Sequence, residues 1–240
     1  MARAPWFRPL LWPTVFTVPV LLLLLGLGSW HIERLIWKRD LIAQRQAALA
    51  AAPTAAPGSL QEAREMEFRH VIDNGDYLHG KEIFLGATSE AGRSGYQVLT
   101  PLQEAGGRLV FINRGFIPAE LKDRAERPAG EVAGPVRVTG LLRLPPAKKP
   151  VWFLPDNRPD LNYWFWVDLP AMAAADKIER AAPFYIDADA TPNPGGWPKG
   201  GVTRLELPNN HLQYAFTWFS LAVALIVVYV LYHRRNAGSG

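Results

Sequence analysis

No cysteine occurs in the 240-residue chain. Disulfides, thiolate zinc sites and covalent c-type haem attachment are thereby excluded. Methionine is nearly as scarce, with Met1, Met66 and Met172 alone, so soft ligands for Cu(I) are almost absent and a copper-delivery role is disfavoured. Net charge is missing from the middle of the chain: residues 32–208 hold all 22 acidic residues and 22 of the 26 basic ones. The whole excess of +4 is Arg3, Arg8, Arg234 and Arg235. Nucleic-acid binding needs a basic patch that neutralises several phosphates, whereas this excess sits beside two apolar runs. No internal repeat is present. No serine–histidine or histidine–glutamate arrangement offers a catalytic constellation, so the protein is not expected to be an enzyme.

The chain has two long uncharged runs, one near each end. Residues 10–30 carry no charge and have Leu21 to Leu25 at their centre. The segment that follows, His31-Ile32-Glu33-Arg34, has no small-residue cleavage site, so the run reads as a retained transmembrane helix rather than a signal peptide. Residues 214–232 are nineteen more without formal charge, and at ~1.5 Å per residue they span roughly 28 Å, about one hydrocarbon core. Arg234 and Arg235 close this second run, and the positive-inside rule then puts both termini in the cytoplasm. The expected division is a cytoplasmic N-terminus (1–9), a first span (10–30) and an amphipathic stalk helix with linker (31–59). An extracytoplasmic domain (60–208), a second span with a polar entry collar (209–232) and a cytoplasmic tail (233–240) follow.

Between the spans the pattern is mainly β. Met66, Phe68, His70 and Ile72 alternate with polar neighbours. Residues 96–102 and 108–113 read as a hairpin joined by the loop 103–107. Val136, Val138, Leu142 and Leu144 give another run, interrupted at Gly140. Residues 161–167 read as an aromatic strand with Trp164 and Trp166 on one face, and residues 184–186 and 202–207 add two more. One helix is expected over 169–177, with Asp168 as N-cap and Pro170 in its first turn. The fold class is an α+β membrane protein: two transmembrane helices flanking a barrel- or sandwich-like β domain with one or two short helices.

His211 is the sharpest candidate site residue, at the mouth of the second span, with Tyr214 and Trp218 on the same helical face. Neutral imidazole ligates iron, and an apolar bilayer edge suits a porphyrin. The other reading is an interfacial collar, because His, Tyr and Trp all favour the headgroup zone, and residue types alone favour it. His31, at the mouth of the first span, carries the same two readings. His70, His79 and His233 show no metal-ligand spacing. Residues 195–201 are glycine-rich around Lys199, but lack the Ser or Thr and the following helix of a phosphate loop. Asp156, Asp160 and Asp168 fit turns and helix capping. Arg114 reads as an ion-pair partner or an anchor for a propionate.

Several stretches together carry a resemblance. They are Trp12-Pro13-Thr14, Glu33-Arg34-Leu35, Gly80-Lys81-Glu82-Ile83, Gly95-Tyr96-Gln97-Val98-Leu99-Thr100-Pro101-Leu102 and Asn113-Arg114-Gly115-Phe116-Ile117-Pro118. They continue with Asn162-Tyr163-Trp164-Phe165-Trp166-Val167-Asp168-Leu169, Pro183-Phe184-Tyr185-Ile186-Asp187-Ala188, Gly200-Gly201-Val202-Thr203-Arg204 and His211-Leu212-Gln213-Tyr214. In this order the chain resembles the Surfeit-locus-one family, membrane assembly factors for cytochrome c oxidase. The resemblance implies two transmembrane helices flanking a domain on the outer face of an energy-coupling membrane. It further implies a role in supplying haem a to the oxidase's catalytic subunit, beside haem a synthase. In bacterial members haem a binding is associated with the histidine of the His-Leu-Gln-Tyr motif, here His211. Tyr214 belongs to that motif, and Gly75 matches a family glycine important for function. His31 stands where the family often has glutamine. The lack of a presequence before the first span leads to the expectation of a bacterial inner membrane. The competing expectation is a non-haem scaffold that holds oxidase subunits or haem a synthase together.

Overall fold

In a computed structural model of the chain, residues 9–89, 91–201, 203 and 209–238 are described. The strand expected over 202–207 lies outside these residues apart from Thr203. The described residues form two compact units, one up to Gln44 together with those from Asn209 onward, the other from Arg45 to Thr203.

The first unit is a pair of long helices, α1 (Leu11–Ala50) and α4 (His211–Gly238). Both are long and apolar enough to cross a membrane. Large apolar side chains point outward along both, among them Leu22, Phe216, Val223 and Val228. In water such a surface is unfavourable, and in lipid it is matched. The helices run antiparallel. Thr14 near the start of α1 shares a 2.7 Å hydrogen bond with the Tyr229 hydroxyl near the end of α4. Further along, Gly28 is the buried residue of α1 and lies against the Phe219 ring.

The second unit is a closed β barrel with additions. After β1 (Thr54–Ala55) and a short helix α2 (Leu60–Glu65) come β2 (His70–Tyr77), β3 (Ile83–Thr88), β4 (Ser94–Gln103) and β5 (Leu109–Pro118). β6 (Pro135–Arg143), a helix α3 (Leu169–Ala175) and β7 (Ala181–Ala188) complete it. The sheet order is β1-β2-β6-β7-β5-β4-β3, and β2 also pairs with β4 through Asp76 and Tyr77 opposite Gln103 and Leu102. That extra pairing closes five strands, β2, β6, β7, β5 and β4, into a ring. Closure removes most free edges, which in an open sheet template aggregation. Val71, Leu102, Val110, Ile112, Phe184 and Ile186 fill one core. Phe111, Trp164, Met172 and Tyr185 form a second one under α3. β5 supplies both cores from alternate residues, which explains the unbroken apolar run Leu109-Val110-Phe111-Ile112 that opens it.

The hairpin of β4 and β5, the strand with Gly140 and the helix capped by Asp168 stand as expected, the Asp168 side chain accepting from Ala171 N at 3.1 Å. Three expectations need correction. The alternation from Met66 to Ile72 is not one strand. Ser59 caps α2 at its start and Met66 is its C-cap, and Phe68 takes a positive φ of 66° before β2 starts at His70. Within β2 the buried face is Val71, Asp73 and Gly75, the opposite phase to the one expected. The segment 51–59 is no free linker either, because β1 pairs parallel to β2 and Ala56 N donates to Ile72 O at 3.0 Å.

The aromatic stretch 161–167 is the third correction. It forms a 3₁₀ turn and two isolated bridges rather than a strand. Asn162 sits in the left-handed region and its side chain donates to Glu82 O (2.6 Å) while accepting from Trp164 Nε1 (3.3 Å). Asn157 accepts from Phe165 N at 2.8 Å. These side-chain bonds stand in for a strand ladder, and they seat Trp164, 1% exposed, in the second core.

Candidate functional site

Asn209 and Asn210 lead into α4, and the Asn210 carbonyl accepts the helix's first bond, from Tyr214 N at 3.3 Å. His211 is therefore the first residue of the helix, and His31 lies on α1 at the same level. Their Nδ1 atoms stand 3.1 Å apart. One ring donates and the other accepts, so at least one imidazole of the pair is neutral. Neither Nε2 has a hydrogen bond among the described residues. Tyr214 stacks on His31 with centroids 5.2 Å apart and planes 20° apart. Trp30 presents its edge to both imidazoles, at 4.8 and 6.4 Å. Among the residues expected from sequence, His31, His211 and Tyr214 thus form one aromatic cluster, which Trp30 joins. Trp218 follows about two turns along α4, with its indole Nε1 buried and unpartnered among the described residues.

The donor set fits a haem iron. A metal-ligating histidine commonly directs its second ring nitrogen to a hydrogen-bond partner that fixes the ring. The Nδ1–Nδ1 contact occupies one nitrogen of each ring and leaves Nε2 for a metal. A hydrogen bond between the two Nδ1 atoms lets one ring hold the other, so one histidine could ligate through Nε2 while its neighbour orients it.

Gly75 belongs to the β unit, on the inward face of β2 opposite Val136. A Cβ there would collide with the Gln103 carbonyl of β4. The barrel seam therefore favours glycine at this position.

The β unit carries two polar centres that periodicity did not reveal. A cleft of about 740 Å³ opens beside β4, β5 and β7. On its floor Asp187, 5% exposed, accepts from Asn113 Nδ2 (2.7 Å), Thr203 Oγ1 (2.8 Å) and Arg143 Nη1 (3.1 Å). Asn113 Nδ2 also donates to Gln97 Oε1 at 3.0 Å. Through Gln97, Asn113, Arg143 and Asp187 this network ties four strands together. The signal available in the sequence was a carboxylate inside an otherwise apolar strand, since acids are rarely buried unless paired.

The second centre is Glu82, which meets Arg127, Arg114 (3.7 Å) and His79 (3.5 Å) out of solvent. Burial pushes the Glu82 carboxyl up. Hydrogen bonds from His79 and Arg127 and the charges of Arg127 and Arg114 outweigh it and hold the group at about 2. Arg114 also donates to Gly130 O at 2.7 Å and covers the Tyr77 ring. Of its two expected uses, the geometry is that of a structural ion pair. The glycine-rich loop around Lys199 opens no helix. Lys199 exchanges backbone hydrogen bonds with Phe116 instead, both at 2.9 Å. Asp156 and Asp160 pair with Lys149 and Arg158 at the surface.

A family model described as "SURF1 family" matches residues 18–223. The chain is similar to a SURF1-like protein of Monosiga brevicollis, 35% identical over 235 residues, covering 92% of this chain and 87% of that protein. It is also similar to Surfeit locus protein 1 of Mus musculus, 36% identical with 91% and 72% covered. Surfeit locus protein 1 of Homo sapiens is 35% identical with 83% and 70% covered.

Proposed function

Since this chain belongs to the SURF1 family of cytochrome c oxidase assembly factors, we propose that it binds haem a and assists its insertion into the oxidase's catalytic subunit. It does so without turnover of its own. The observation that carries this reading is the 3.1 Å approach of His31 and His211 between two apolar helices. His211 Nε2 would ligate the iron, and His31 would hold the His211 ring through Nδ1. Tyr214, Trp218 and Trp30 would line the porphyrin. The haem supplies the iron centre that the oxidase uses, and this chain's residues bind, orient and release it. Haem a synthase is the proposed donor and the catalytic subunit the proposed recipient. The proposed location is a bacterial inner membrane, with both termini cytoplasmic and the β unit outside. The antiparallel helix pair supports termini on one side.

The test is to express His211→Ala in cells that make haem a, purify it and record its visible spectrum. Loss of haem a is expected, and undiminished content overturns the assignment. A second reading, the non-haem scaffold, has its own observation in the proline-framed loop where Trp152 and Phe153 are 90% and 69% exposed. Under that reading haem would not copurify with the wild-type chain.

A further inference from the structure

α1 carries two cations just beyond the histidine pair. Arg34 and Lys38 follow His31 by three and seven residues, so all three lie on one helical face. Neither cation is in an ion pair among the described residues, although Glu33 and Asp40 are near in sequence. The Arg34 guanidinium rests instead on the rings of Trp37 (4.6 Å) and Trp30 (5.9 Å), and Trp30 also touches both imidazoles. A cation held on aromatic faces is oriented while its N–H groups stay available to an anion.

We infer that Arg34 and Lys38 recognise the acidic groups of the porphyrin carried at His31 and His211, an inference that rests on the haem reading. An iron porphyrin with propionates presents carboxylates at its edge, and a guanidinium and an ammonium beside the ligating nitrogen would receive them. The ligand class is thus an anionic metalloporphyrin, with its charged edge directed to α1. Anionic lipid headgroups offer the same chemistry, so the test separates the two.

Titrate the full chain in neutral detergent with haemin and with haemin dimethyl ester, following the Soret band. Repeat both titrations with phosphatidylglycerol added. The wild type is expected to prefer haemin by about fivefold, the scale of one or two exposed charge pairs. The R34Q/K38Q double variant should bind both porphyrins equally, at the wild type's affinity for the ester and with an unchanged band position. R34K/K38R should keep most of the preference. Equal wild-type affinity for the two porphyrins overturns the inference alone. So does a preference that phosphatidylglycerol abolishes, which assigns the cations to headgroups. A wild type that binds neither porphyrin overturns the haem reading, and this inference with it.

Discussion

Gly28 faces the ring of Phe219 so closely that a Cβ on residue 28 would stand 2.7 Å from two ring carbons. This contact lies one turn from His31 and two turns from His211. It sets how near the two helices come where the imidazoles meet. Small residues at lipid-embedded helix contacts let backbones approach, since packing replaces the hydrophobic effect there. Gly28→Val should therefore part the helices and break the histidine contact. The expected result is at least a tenfold loss of haemin affinity by Soret titration. Phe219→Ala in the same chain should restore part of it by vacating the space.

His31 and His211 are given different roles, so their variants should behave differently. His31→Ala is expected to keep a haem spectrum while lowering affinity about 10–100-fold, the usual cost of losing the partner of a ligating histidine. If His31→Ala and His211→Ala prove equally devoid of haem, the division into ligand and orienting partner is wrong.

Acid stability of the β unit should reflect two carboxyls with opposite shifts. Glu82 is held at about 2 against an ordinary 4.5, so its contribution is complete above about 4.5 and lost as pH falls toward 2. That contribution is roughly 3 kcal/mol. Burial, then the charge of Glu104, pushes Asp73 up to about 6. Its cost is therefore complete above about 6 and relieved as pH falls toward 3.8. Urea midpoints followed by tryptophan fluorescence should rise between pH 7 and about 5, then drop below about 4.5. Asp73→Asn should remove the rise, and Glu82→Gln should lower the neutral-pH midpoint and flatten the acid limb.

Gly75→Ala tests the barrel seam. The added Cβ meets the Gln103 carbonyl, and overpacking of this kind typically costs about 1–3 kcal/mol. The urea midpoint should fall accordingly. The folded fraction should still titrate with haemin as the wild type does, because the histidine pair is intact. A normal midpoint with lost haem binding would instead tie this position to haem binding rather than to the seam.

How legible these features were depended on their range along the chain. The second span was plain because nineteen uncharged residues suffice for it. The Asp168 cap and the β4–β5 hairpin were plain because each is decided by a few adjacent residues. The stretch from Asn162 to Trp166 was misleading because the Asn157 side chain captures the Phe165 and Trp166 backbone N–H groups, and alternation carries no trace of that competition. β2 was read out of phase because the backbone turns at Phe68, inside the apparent alternation, and a shift of one residue exchanges the two faces of a strand.

The amino-acid order by itself determined two membrane spans, a mainly β middle, and a histidine at the mouth of each apolar run. Hydropathy and charge are local sums, and lipid responds to them directly. Only the tertiary structure decided which of those residues meet. The antiparallel register set by Thr14 with Tyr229 and Gly28 with Phe219 brings His31 to His211 across 180 positions of sequence. It likewise took barrel closure to make Gly75 a seam and to gather Asn113, Arg143 and Asp187 from three strands. Such contacts depend on how side chains fit across helices and strands far apart in the chain, and no local pattern encodes that fit.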